Sequence, residues 1–149
     1  MREILFRGRR IDTGEWVEGL LTIDDFALGD KGVERRYCIK SVPHDVGGSF
    51  VWVPVIPTTV GQYTGLKDKN GQRIFEGDIL KEKYRYDGKN VLHEVAFDVS
   101  SFGTKRFVSG KLSDICIPFD DCENALYTEG ETEVIGNIHD NPDLLHDGQ

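Results

Sequence analysis

Residues 61–80 read GQYTGLKDKNGQRIFEGDIL, and this stretch decides the fold class. Asn70-Gly71 accepts positive φ at low cost, so it favours a type I′ hairpin turn. Further on, Asp87-Gly88 repeats the signal. Between the two turns Ile79, Lys81 and Lys83 alternate with Leu80, Glu82 and Tyr84, a period of two that marks a strand. The segment therefore reads as a β-meander. It is locally basic, with seven Lys or Arg against five carboxylates over residues 65–90.

The same pattern extends toward the N-terminus. Ile4 to Arg7, a turn at DTGE, and Trp16 to Ile23 read as a hairpin, because Thr13-Gly14 supplies the freedom a turn needs. DDFALGDKG follows as an expected loop. Arg35 to Val42 is a further strand, with Tyr37 and Ile39 on one face and Cys38 and Lys40 on the other. The run SFVWVPVIPTTVGQYTGL is rich in β-branched and aromatic residues but interrupted by Pro54 and Pro57. Proline cannot donate to a ladder, so this is an edge strand followed by an extended connection.

Toward the C-terminus, short strands are expected between Phe97 and Phe119. FDDCENALYTEGETE reads equally as a helical turn or an acidic loop, and TEVIGNI is the last strand. In DNPDLLHDGQ, Asn141 can cap a helical turn that opens on Pro142, with Leu144 and Leu145 docked on the core. Seven or eight short strands between turn signals imply a mainly β fold, a small barrel or sandwich. At 149 residues the chain forms one domain, with room for two lobes at about 1–60 and about 61–149.

Composition narrows the function. No run reaches the roughly 18 apolar residues of a membrane span, and MREILFRGRR lacks the apolar core of a secretory signal. The expected location is the cytoplasm, with no membrane partner. Cys38, Cys116 and Cys122 are odd in number and form no CxxC pair, which argues for small buried thiols rather than disulfides or a zinc ribbon. The net charge of −8 is unevenly placed: Leu112 to Gln149 holds ten carboxylates and neither Lys nor Arg, leaving 18 basic and 16 acidic groups before it. Such an acidic end repels phosphates and favours solvent, or a basic surface on a neighbouring subunit.

Catalytic signatures are sparse. Asp78, just after a glycine, could serve as a base or metal ligand, with Glu76 two residues away on one strand face; the favoured reading is a carboxylate that bonds backbone N–H groups in a turn. His44, His93, His139 and His146 show neither HExxH nor HxH spacing. The polar cluster Asn137, His139, Asp140, Asn141 and Asp143 is expected to be a capping network. There is no G-x-S-x-G elbow, phosphate loop or G-x-G-x-x-G, and no cofactor or metal is expected. KEKYRYDGK, with Lys81, Lys83, Tyr84, Arg85, Tyr86 and Lys89, has the aromatic and basic mixture of a nucleic-acid-binding hairpin. The total charge opposes that use.

FRG at residues 6–8, GEWVEG at 14–19, TVGQYTGLKDKNGQRIFEGDIL at 59–80 and EVIGNIHDNPDLL at 133–145 together resemble the YopX family, small proteins of bacteriophages and prophages. The resemblance implies a β-rich fold related to SH3-type barrels or rolls, with additional strands and a short C-terminal helical turn. It supplies no catalytic residue. The expected function is a non-enzymatic interaction or assembly module that associates with itself or with a host or phage protein. A nucleic-acid-binding barrel is the alternative, and an enzyme centred on Glu76, Asp78 and His139 a second one. The expected binding surface comprises Gln62, Tyr63, Thr64, Lys67, Asp68, Asp78, Tyr84, Tyr86, Asn137 and His139.

Overall fold

A computed structural model of the chain describes residues 3–41, 50–83, 87–98, 100–108, 111–119 and 131–145. Contacts divide the chain into two units, Met1–Tyr63 and Thr64–Gln149. Both are antiparallel β, and the only helical segments among the described residues are short 3-10 turns.

In the first unit, β1 (Phe6–Arg9) returns as β2 (Trp16–Ala27), then β3 (Val33–Ser41) and β4 (Val51–Pro54). The order is β4-β3-β2-β1, with the start of β5 (Gly61–Lys67) beside β1. The first turn closes because Gly14 takes φ 74, letting its N–H reach the Arg10 carbonyl at 3.0 Å. Strand β4 lies at the sheet edge, where Pro54 leaves no central ladder unsatisfied.

The expected loop DDFALGDKG is a correction. β2 continues to Ala27, and the chain reverses in a 3-10 turn at Gly29–Lys31. Polar Asp24 and Asp25 stay in the strand because Arg36 and Arg35 stand directly opposite them. Arg35 grips Asp25 with two bonds of 2.8 and 3.0 Å, and Arg36 lies over the Phe26 ring at 4.7 Å. Cross-strand pairs of this kind offset low strand propensity.

The inner face of this unit aligns Leu21, Ile39 and Val53 across three strands, with Ile39, Val53 and Val55 buried. Gly19 sits where a Cβ would collide with the Lys40 carbonyl oxygen and press the Ile39 side chain. Gly19→Ala is therefore expected to cost roughly 2 kcal/mol, because backbone cannot yield as a flexible side chain does. Urea denaturation checks this, and an unchanged midpoint would show that the strands part freely.

In the second unit the later residues of β5 pair with β6 (Arg73–Phe75). There follow β7 (Asp78–Lys83), β8 (Asn90–Asp98), β9 (Ser101–Val108), β10 (Lys111–Pro118) and β11 (Glu133–Asn137). These five form one sheet in the order β10-β9-β8-β7-β11. The meander was readable from turn signals; the return of β11 to pair with β7 was not. Ile74, Leu80 and Val95 form the core, with Leu66, Phe119 and Val134 packed against it.

Three local expectations are corrected here. Neither sheet closes into a barrel among the described residues: each strand order is open at both ends. The Asn70-Gly71 hairpin is not a two-residue type I′ turn. Asp68 and Gln72 close a three-residue loop, with the Gly71 N–H on the Asp68 carbonyl and Gly71 at φ 79. The C-terminal turn, Pro142–Leu145, is 3-10, and the Asn141 side chain turns back to accept the Asn137 N–H instead of capping it. Leu144 and Leu145 are half-buried. The acidic segment 120–130, Cys122, His44 and His146 lie outside the described residues.

Candidate functional site

Three buried polar side chains of residues 61–80, Thr64, Asp68 and Asp78, bond to backbone. Asp68, buried, accepts the Asn70 and Gln72 N–H groups on Oδ1 at 2.8 and 2.9 Å, and the Val134 N–H on Oδ2 at 3.1 Å. Burial alone would raise its pKa, but the bonds from Val134, Gln72 and Asn70 outweigh that and hold the carboxyl below its usual value. Asp68 thus ties the β5–β6 turn to β11. Lys69 reinforces the link, donating its N–H to the Thr132 carbonyl at 3.0 Å and its Nζ to Glu133 at 2.8 Å.

Asp78, also buried, accepts the Phe75 N–H on Oδ2 at 2.7 Å. Glu76 does not share a strand face with it: Glu76 lies in the turn between β6 and β7, where Gly77 takes φ 82. Thr64 donates to the Ile74 carbonyl at 2.9 Å. Asn137 accepts the His139 and Asp140 N–H groups on Oδ1, each at 3.0 Å, and donates to the Asp140 carboxylate at 2.9 Å. That network organises the reversal after β11. It leaves His139 half-buried beside Gly77.

Of the residues expected to form a binding surface, Tyr63, Thr64, Asp68, Asp78 and Asn137 are buried. Among them Asp68, Asp78 and Asn137 face backbone, and turn carboxylates and amides look the same in sequence whether they face water or backbone. Gln62 is half-buried and Lys67 exposed, while Tyr84 and Tyr86 lie outside the described residues. No group of three or more His, Cys, Asp or Glu side chains suited to a metal occurs among the described residues. Cys38 and Cys116 are free thiols whose pKa values burial pushes up, which leaves them weak nucleophiles.

The prominent surface lies elsewhere, on the outer face of the first unit. Register places Leu20, Lys40 and Trp52 in one row across β2, β3 and β4. Leu20 and Trp52 are 55% and 52% exposed, and neighbouring Phe50 is 60% exposed. Lys40 Nζ lies 3.9 Å from the Phe50 ring centre and 5.4 Å from that of Trp52. On the same face Arg7 and Arg9 lie over Trp16 at 4.9 and 5.7 Å. Cations held over ring faces in this way are attracted by the ring quadrupole.

The β2–β3 hairpin adds a second surface. Every residue from Ile23 to Arg36 is exposed, so both faces of the ribbon meet solvent, and Ile23, Phe26, Leu28 and Val33 are among them. Neither surface was found from sequence. The one available signal was the alternation Trp16, Glu18, Leu20, whose partners on β3 and β4 depend on register.

These features define a mainly β protein of two antiparallel units, with polar turn hubs inside and an aromatic and basic face outside. The family model described as YopX protein matches residues 13–146. The chain belongs to the YopX family. Among solved structures it is similar to protein EF1440 from Enterococcus faecalis, with 24% identity over 97% of this chain and 99% of that chain and a TM-score of 0.48. No curated protein matches it. Among the described residues no helix is long and apolar enough to cross a membrane.

Proposed function

We propose that this YopX protein is a non-enzymatic assembly module of phage or prophage origin, acting in the bacterial cytoplasm and joining a second copy through its β2–β3 ribbon. The exposure of Ile23 to Arg36 on both faces carries this reading. A two-stranded ribbon without a covered face is marginal in water, and this one holds four apolar side chains that a partner would bury. Its charges also suit self-contact. Asp25–Arg35 and Glu34–Arg36 are paired within the ribbon, so a second ribbon meets little net field. The engagement of Asp68, Asp78 and Asn137 with turn backbone supports the non-enzymatic part. The five-strand order, a meander whose last strand returns beside its first, supports reading the second unit as an open relative of an SH3-type roll.

Light scattering after size exclusion tests the assembly. The expected mass is a dimer at both low and high salt, because apolar contact is not screened. Phe26→Asp, at an exposed position, is expected to shift the protein to monomer and to make its melting temperature independent of protein concentration, whereas that of the wild type rises with concentration. A wild-type monomer at both salt concentrations would refute the proposal.

A further inference from the structure

Lys40 and the rings around it have no role in the ribbon. From the outer face of β2–β4, we infer a binding site for single-stranded nucleic acid, with bases stacked on Trp52 and Phe50 and the backbone phosphates drawn to Lys40 and Arg7. The observation is the arrangement itself: the exposed rings of Phe50 and Trp52 and the half-buried ring of Trp16 on one sheet face, interleaved with cations held within 6 Å of ring centres. Aromatic platforms beside basic side chains are how sequence-tolerant single-strand binders work, since every base offers a π-face and every nucleotide a charge. A double helix presents neither open base faces nor a shape that a flat sheet can stack upon.

The net charge of −8 is the objection, and its distribution answers it. Residues 1–63 carry eight Lys or Arg and nine Asp or Glu, or −1; residues 64–149 carry ten and seventeen, or −7. The repulsive charge resides in the second unit. Within the first, Asp12 pairs with Arg10 and Asp25 with Arg35, so these charges cancel locally. Arg7, Arg9 and Lys40 share the ring face with Glu18, which stands opposite Arg7, so these four groups sum to +2. Strand spacing of about 4.8 Å and a rise of about 3.3 Å per residue put Trp16 and Trp52 roughly 16 Å apart. A single strand can cross from one to the other along the diagonal of the sheet.

Fluorescence anisotropy with a labelled oligothymidine at about 50 mM salt tests the site. The expected result is saturable binding that quenches tryptophan emission, weakens as salt rises, and is much weaker for duplex DNA. Trp52→Ala and Phe50→Ala are each expected to weaken binding roughly tenfold, and Lys40→Gln to flatten the salt dependence. Circular dichroism and melting should leave all three variants folded. No binding at low salt overturns the inference. So does binding that Trp52→Ala and Phe50→Ala leave unchanged, or an equal affinity for polyglutamate, which would make the face a docking site for acidic protein segments. Assembly is read separately with Phe26→Asp: that variant is expected to bind the oligonucleotide through the intact face even as a monomer.

Discussion

Replacing Asp68 by alanine is expected to destabilise the protein by about 4 kcal/mol. Its carboxylate accepts three backbone N–H groups, from Asn70, Gln72 and Val134. Hydrogen bonds to a charged acceptor contribute about 1.5–3 kcal/mol each, and a donor left buried without a partner costs comparably. The three bonds share one side chain, so their losses do not add in full. Asp68→Asn provides the internal control. Its single carbonyl oxygen can keep the Asn70 and Gln72 bonds while losing that to Val134, so it should cost about half as much. Urea denaturation of both variants measures the difference. Equal losses would mean that the link to β11 contributes nothing.

The second large effect is one of pH. His93 is almost fully buried on β8, and neither ring nitrogen has a hydrogen-bond partner among the described residues. Burial, and then the nearby Arg106 charge, lower its pKa from 6.5 to about 4. The Glu82 carboxylate, 3.6 Å from Nε2, lies too far to form a hydrogen bond that would hold the proton. The unfolded chain therefore binds a proton at His93 between pH 6.5 and 4 while the folded protein does not. Stability from this group is complete above pH 6.5 and is lost as pH falls toward 4, by about 3 kcal/mol in all. Glu94, whose pKa burial raises, acts in the opposite sense, so the comparison must be with a variant. His93→Leu should remove this part of the slope across that window. An unchanged profile would show that the imidazole takes up its proton in the folded state.

The turns were legible because their cause is local. Gly14, Gly71 and Gly88 each take positive φ, and a glycine beside Thr, Asn or Asp states that requirement in two letters. The edge position of β4 was legible for the same reason, from Pro54. What could not be read depends on residues far apart. Asp24 and Asp25 look like loop residues until Arg35 and Arg36 are known to stand opposite them. Asp68 looks like a surface carboxylate until Val134, 66 residues onward, is found donating to it. The row of Leu20, Lys40 and Trp52 takes one residue from each of three strands, and a slip of one residue in either pairing would dissolve it. Thus the tight stretch GQYTGLKDKNGQRIFEGDIL builds the second unit, and the exposed chemistry lies on strands that precede it.

Hydrogen exchange at the amides of Ile23 to Arg36, followed across a range of protein concentrations, tests the assembly role of the ribbon most directly. Protection should rise with concentration across the ribbon while the amides of β7 and β8 stay constant, and Phe26→Asp should abolish the rise. Exchange in the ribbon that is rapid and independent of concentration would contradict the account, since the ribbon would then have no second copy to cover it.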